Sequence, residues 1–224
     1  MTQNIEDIND EMVFLTSFCN PKGRVLATAF IQYWNKAYYL TLSTDLIEDI
    51  HAWLSRYILR SDVKISNDEI NVYGVDEEMD KQNEFLLLSD SHMQSLRKLA
   101  NDSNRFLLLS SIEMPTRYGT MSEHDWRYDD FKNGIPIINK SSSLKYIPQM
   151  LNLHELGAIS FSKGCYTGQE VVAKVQHRGK IKQKLVWMVS PGNIPLKTQA
   201  DVMNGEKKVG TLATVLYDHE MKEN

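Results

Sequence analysis

The residues best suited to chemistry lie in one run, Lys163-Gly164-Cys165-Tyr166-Thr167-Gly168-Gln169-Glu170, followed shortly by His177-Arg178-Gly179. Cys165 offers a thiol that could act as a nucleophile or redox group. Gly164 and Gly168 permit tight turns and close approach of a ligand to the main chain. Glu170, Val171, Val172, Lys174 and Val175 read as a helix beginning after Gly168, whose first amides point toward anionic or carbonyl-bearing groups. That positive helix end and the neighbouring Lys163 would both raise the thiolate fraction of Cys165. The spacing alone favours a buried, inert cysteine over this.

Charge sets this run apart. Between Lys163 and Lys184 there are six lysines and arginines against the single acid Glu170, a local +5 in a chain whose formal net charge is −4. Much of the opposite charge falls in residues 62–84, with eight acids against two lysines. An acidic protein with one concentrated basic segment attracts a polyanion there and little elsewhere, although lysines also simply keep a β unit soluble. The mean charge argues against direct, stable nucleic-acid binding.

Several chemistries have no foothold. Cys19 and Cys165 are the only cysteines, too few for a disulfide scaffold or for the thiolates an iron–sulfur cluster usually needs from one chain. The six histidines show no H-E-x-x-H pattern, and no C-x-x-C, P-loop, G-x-G-x-x-G or G-x-S-x-G motif occurs, so no metal site is expected. The longest apolar runs fall far short of the roughly 20 residues that cross a bilayer. The acidic first ten residues resemble neither a secretory signal nor a transit peptide, which makes the cytoplasm the default and a membrane partner unexpected.

The elements that must position the run read as α+β. Residues 13–19, 24–34 and 38–43 are β-branched and aromatic, separated by the turn formers Asn20-Pro21-Lys22-Gly23 and Asn35-Lys36, which predicts a β-meander. Leu46, Ile47, Ile50, Trp53, Leu54, Tyr57 and Ile58 recur at helical offsets after Ser43 to Asp45, predicting an amphipathic helix on that meander. Short strands are expected near 63–65, 70–75, 85–88 and 106–109, with a helix around 91–100 between the last two. Ser122 and Asp125 form a capping box for a helix over 123–132 ended by Asn133-Gly134. Residues 135–164, with two prolines and three consecutive serines, read as a loop-rich crossing. Strands are again expected at 184–190 and 207–216, in a small β unit.

The signature and its ordered context resemble the YgfZ-type folate-binding proteins, relatives of the glycine-cleavage T-protein. Lys163-Gly164-Cys165-Tyr166, then Gly168-Gln169-Glu170, is similar to their K-G-C-Y-x-G-Q-E. Asn20 to Arg24 resembles their early D-x-K-G-[KR] turn, and Trp126 ahead of Gly134-Ile135-Pro136 their W…G-[IF]-P segment. Ile147-Pro148-Gln149 through Asn152-Leu153, and Gly157 to Phe161, resemble the run leading into the signature. The resemblance covers nearly the whole chain. It implies a ring of α/β subdomains, here residues 1–180, with a small C-terminal β-barrel in 181–224, around a site for tetrahydrofolate or a derivative. It implies transient partners among iron–sulfur enzymes or their assembly proteins and, through them, support of tRNA methylthiolation. Cys165 then becomes a redox or cluster-handling candidate. Lys163, Gly164, Tyr166, Gly168 and Gln169 frame the folate site. Trp126 supplies an aromatic wall for the pterin, Glu170 an acceptor for pterin N–H groups, and Arg178 a bidentate hold on the glutamate tail.

The departures weigh on the chemistry. Asn20 stands where the family's turn has Asp, and residues 24–30 hold no acid, so an aminomethyltransferase lacks its expected carboxylate and ranks below the accessory role. The chain also begins where the resemblance expects an opening strand and helix to have passed, and stops before the barrel would close, so a shortened member is expected.

Overall fold

A computed structural model describes residues 1–67, 70–78, 94–100, 102–114, 120–190 and 195–217. The predicted meander is present as β1 (Met12–Cys19), β2 (Val25–Trp34) and β3 (Ala37–Leu42), all antiparallel. Asn35 and Lys36, at φ 46° and 62°, close the β2–β3 hairpin, the left-handed pair that a two-residue turn requires. β1 is buried along most of its length, as suits a strand with neighbours on both sides.

A second group of strands comprises β4 (Asn71–Asp76), β5 (Gln94–Leu99) and β6 (Asp102–Ser110), in the order β5-β6-β4. The two groups form one mixed six-stranded sheet, β3-β2-β1-β5-β6-β4. Their join is short and parallel: Met12 pairs with Lys98 and Val13 with Leu99.

Helix α1 (Ile47–Ser55) follows a one-turn lead-in at Thr44–Leu46 and packs Leu46, Ile50, Trp53 and Leu54 on the meander. Helix α2 (Glu123–Lys132) starts at the predicted cap, where Ser122 Oγ accepts the Asp125 amide at 3.0 Å, and Gly134 leaves it at φ 66°. Residues 135–164 form the expected loop-rich strap, tied to β2 by Thr28, whose hydroxyl donates to Pro136 O at 3.0 Å and accepts from Ile138 N at 3.1 Å. Ile135, Ile138, Leu151, Leu153 and Ala158 carry the strap into the main core. Helix α3 (Gln169–Arg178) follows, with Val172 in the same core.

Three expectations change. Residues 94–99 are strand β5, not part of a helix over 91–100. The spacing of Leu96 and Leu99 looks helical, but Leu96 serves the cluster of Val75 and Leu108 while Leu99 serves that of Val13 and Leu107, on the opposite face. Residues 62–67 are irregular rather than a strand. Residues 184–190 form no strand; Leu185 N donates to Met150 O at 2.8 Å, and the residues after it are exposed. In the C-terminal part, the described residues contain the hairpin of β7 (Asp201–Asn204) and β8 (Lys207–Thr211). The strand expected at 85–88 lies outside the described residues.

Candidate functional site

The early turn and the signature are one structure. Asn20 Oδ1 accepts the amides of Lys22 and Arg24, both at 2.9 Å, and its carbonyl accepts the Gly23 amide at 2.9 Å. Gly23, at φ 69°, brings this turn so close to α3 that a β-carbon on it would sit 2.8 Å from Val171 Cβ. From the other side Gly168, at φ 84°, meets the turn: its β-carbon would lie 2.5 Å from Asn20 O and 3.2 Å from Cys19 Cβ. Two glycines at positive φ therefore let the end of β1 and the start of α3 touch through their backbones. Gln149, fully buried in the strap, pins the helix by donating from Nε2 to Val172 O at 2.7 Å.

Burial shapes the electrostatics beneath this contact. It pushes the Cys19 thiol up to about 11, so Cys19 stays protonated near neutrality. It also pushes the Tyr166 phenol up to about 12, with Cys19 adding to the effect. Lys163 is held below its ordinary value by the same desolvation. Its ammonium donates to Gln3 O at 2.9 Å and Met1 O at 3.2 Å, and stands 5.5 Å from the Tyr166 ring centroid. The hydrogen-bond and ring partners of Lys163 among the described residues are thus two carbonyls and the Tyr166 ring. Cys165 itself is exposed, which sets aside the buried, inert alternative.

The remaining signature residues spread around the loop. Gly164 is open, since a β-carbon placed on it would meet nothing within 4 Å, and Gln169 Nε2 reaches Lys163 O at 3.5 Å. Thr167 Oγ1 meets Tyr57 OH at 3.5 Å, and Tyr57 stacks at a tilt on Trp53, 4.9 Å between centroids. Glu170 and Arg178 are exposed at opposite ends of α3.

Trp126 sits elsewhere. Its indole covers Gly74 of β4, where a β-carbon would overlap Cε3. The Arg105 guanidinium lies 4.4 Å from the ring, and Phe30 meets it edge-on at 6.4 Å. Arg105 also donates to Trp126 O at 3.1 Å and pairs with buried Asp130 at 2.9 Å. Phe30 pairs with Leu15, four residues before Cys19 and therefore roughly 13 Å along β1 from the turn. The contacts of Trp126 seat α2 on the sheet; those of the signature gather around residues 1–3, 19–24, 57 and 149.

No family model matches the chain, but curated relatives do. It is 30% identical over 210 residues to the tRNA-modifying protein YgfZ of Hamiltonella defensa subsp. Acyrthosiphon pisum, an alignment covering 84% of this chain and 62% of that protein. It is 28% identical over 239 residues to the protein of the same name from Buchnera aphidicola subsp. Schizaphis graminum, covering 96% and 75%. With that of Colwellia psychrerythraea it shares 29% over 227 residues, covering 94% and 69%. The chain is similar to the YgfZ-type proteins over most of its own length. It spans about three-fifths to three-quarters of the length of these relatives.

The strongest non-local supports of the signature escape sequence reasoning. Residues 1–3 bridge β1 and the strap: Thr2 N donates to Ser17 O at 2.8 Å, Ser160 N to Thr2 O at 2.9 Å, and Thr2 Oγ1 to Ala158 O at 2.7 Å. Tyr57, just past the end of a helix whose sequence pattern speaks only of packing, is the exposed aromatic that meets the signature. Gln149 is visible in the sequence as part of the Ile-Pro-Gln run, but its role as a helix pin is not. Among the described residues no group of three His, Cys, Asp or Glu side chains is placed to hold a metal ion, and no helix is long and apolar enough to cross a membrane.

Proposed function

We propose that this chain is a folate-binding accessory protein that supports iron–sulfur enzymes and, through them, tRNA modification by methylthiolation. The observation that carries the reading is the docking of the Asn20–Arg24 turn on the Gly168–Val171 helix start, which makes two separate motifs of the resemblance one site. The relatives' shared name, tRNA-modifying protein, supports the process. The finer architecture proposed with it is a T-protein-like ring carrying a small C-terminal barrel.

The residues present fit parts of a tetrahydrofolate. Arg178 is exposed and free of hydrogen bonds and ion pairs among the described residues, so its guanidinium is available to a glutamate carboxylate. Tyr57 offers the pterin an aromatic face beside Thr167, a position Trp126 does not share. When bound, the folate would bring one-carbon or redox chemistry, while the chain orients it and keeps Cys165 at the surface. Tetrahydrofolate should quench Trp fluorescence saturably, and Arg178→Ala or Tyr57→Ala should weaken it at least several-fold. Because Trp126 seats α2, its variant should be Trp126→Phe. No saturable signal, or one indifferent to all three changes, removes the folate part. In cells, Cys165→Ser should lower tRNA methylthiolation and iron–sulfur enzyme activity; wild-type levels of both would deny Cys165 that role.

A further inference from the structure

The basic segment does not behave as one patch. At its two ends the cations are engaged: Lys163 by the carbonyls of Met1 and Gln3, and Lys184 by Glu155 at 2.5 Å. Between them Lys174, Arg178, Lys180 and Lys182 are exposed and make no hydrogen bond or ion pair among the described residues. Lys174 and Arg178 lie one turn apart on α3, a rise of roughly 6 Å. Lys180 and Lys182 follow in chain without regular structure, which can add up to roughly 13 Å. Four cations that can reach over nearly 20 Å exceed what a single carboxylate tail needs, and they suit a polymer with regularly spaced anions. Immediately beyond, Val186, Trp187, Met188 and Val189 are exposed in succession, with Trp187 at 49%. Four consecutive exposed apolar residues are a cost in water unless something covers them.

We propose that the outer face of α3 and the chain leaving it dock single-stranded or loop RNA, with the four free cations on phosphates and Trp187 stacked on an unpaired base. Cations followed by an exposed indole match the two ingredients of such binding: counter-charge along the backbone and a sequence-tolerant stacking platform. The overall charge of −4 weighs against nucleic acid; the structure alters that balance because four successive cations are exposed and make no ion pair among the described residues. The choice of RNA among polyanions rests on the tRNA-modification reading proposed above.

The test is fluorescence anisotropy of a labelled, unmodified anticodon stem-loop RNA with the full chain, between roughly 50 and 200 mM salt. Contacts to four phosphates predict a slope of log K against log salt of roughly −3, from about 0.7 per single-strand contact. Replacing the four cations by alanine should bring the slope close to zero and weaken binding more than tenfold at low salt. Trp187→Ala should weaken binding at an unchanged slope. A flat salt response, or a slope that survives the fourfold variant, overturns the proposal. So does equal displacement of the RNA by oligoglutamate at matched charge, which would mean the cations read charge alone. If Trp187→Ala changes self-association but not RNA affinity, the apolar run is a protein contact and the stacking assignment fails. Tetrahydrofolate titration of the unmutated chain separates the two readings, since absence of RNA binding with folate binding intact sinks only this inference. Because Arg178 also serves the folate reading, the triple variant Lys174→Ala, Lys180→Ala, Lys182→Ala is the one that should leave folate binding unchanged while bringing the slope to roughly −0.7.

Discussion

Asn20 shows what its position requires. An aspartate there invites a catalytic reading, but the side chain's work is to accept two backbone amides, those of Lys22 and Arg24. A carboxamide oxygen does this as well as a carboxylate. Asn20→Asp should therefore leave thermal stability nearly unchanged, while Asn20→Ala, which orphans two turn amides, should cost about 1–2 kcal/mol in denaturant unfolding. Equal losses in both variants would show that something other than the acceptor matters. Cys19 makes a second prediction at this scale. With its thiol raised to about 11 in the folded chain from about 9 unfolded, the folded state keeps a proton that the unfolded state has released. The stabilisation is complete below about pH 9 and is lost as pH climbs from about 9 to about 11, by at most about 1.4 kcal/mol per pH unit. Cys19→Ala should flatten that part of the profile. At pH 8 an alkylating reagent should label Cys165 alone in the native protein, and labelling of Cys19 without denaturant would contradict its burial.

At the scale of elements, the glycines of the signature are not equivalent. Gly168 combines φ 84° with a β-carbon position 2.5 Å from a backbone oxygen, whereas Gly164 faces open space. Gly168→Ala should cost more than about 2 kcal/mol, by strain and by pushing the turn from α3, while Gly164→Ala should stay within about 0.5 kcal/mol. Urea midpoints compare them directly, and similar losses would mean that the contact between turn and helix is not what holds Gly168. Elements with local signals are legible in the sequence. The meander announces itself by β-branched runs between turn residues, and α2 by the Ser122–Asp125 cap. β5 reads wrongly as helix because Leu96 and Leu99 have helical spacing while feeding opposite faces of a sheet. The signature is legible as a motif, but the residues that hold it are not, because Gln149 against Val172, Tyr57 against Thr167 and Thr2 against Ser17 are contacts between distant segments that no local period encodes.

At the scale of the molecule, the sheet is two antiparallel halves of three strands joined by two residue pairs between β1 and β5. Side chains reinforce the seam: Val13, Leu99 and Leu107 form one small cluster, against which Phe30 and Trp126 pack. The β1–β3 half shares the main core with α1, the strap and α3, whereas the β4–β6 half has beyond the seam only the cluster of Val75, Leu96, Leu108 and Met114 among the described residues. Stability should follow that asymmetry, because the half with less buried apolar surface among the described residues opens at lower cost. Native-state hydrogen exchange should find the amides of β4 and β6 opening at a lower free energy than those of β1 and β2. Val13→Ala removes two methyl groups from the seam and should cost roughly 2 kcal/mol. Its effect should fall mainly on β4–β6 protection, with β2–β3 pairs such as Phe30 and Thr41 keeping more of theirs. Uniform protection across all six strands, lowered equally by Val13→Ala, would show that the halves unfold as one unit. If they do not, the folate readout can be followed while β4–β6 opens, since α3 shares the core of the β1–β3 half through Val172.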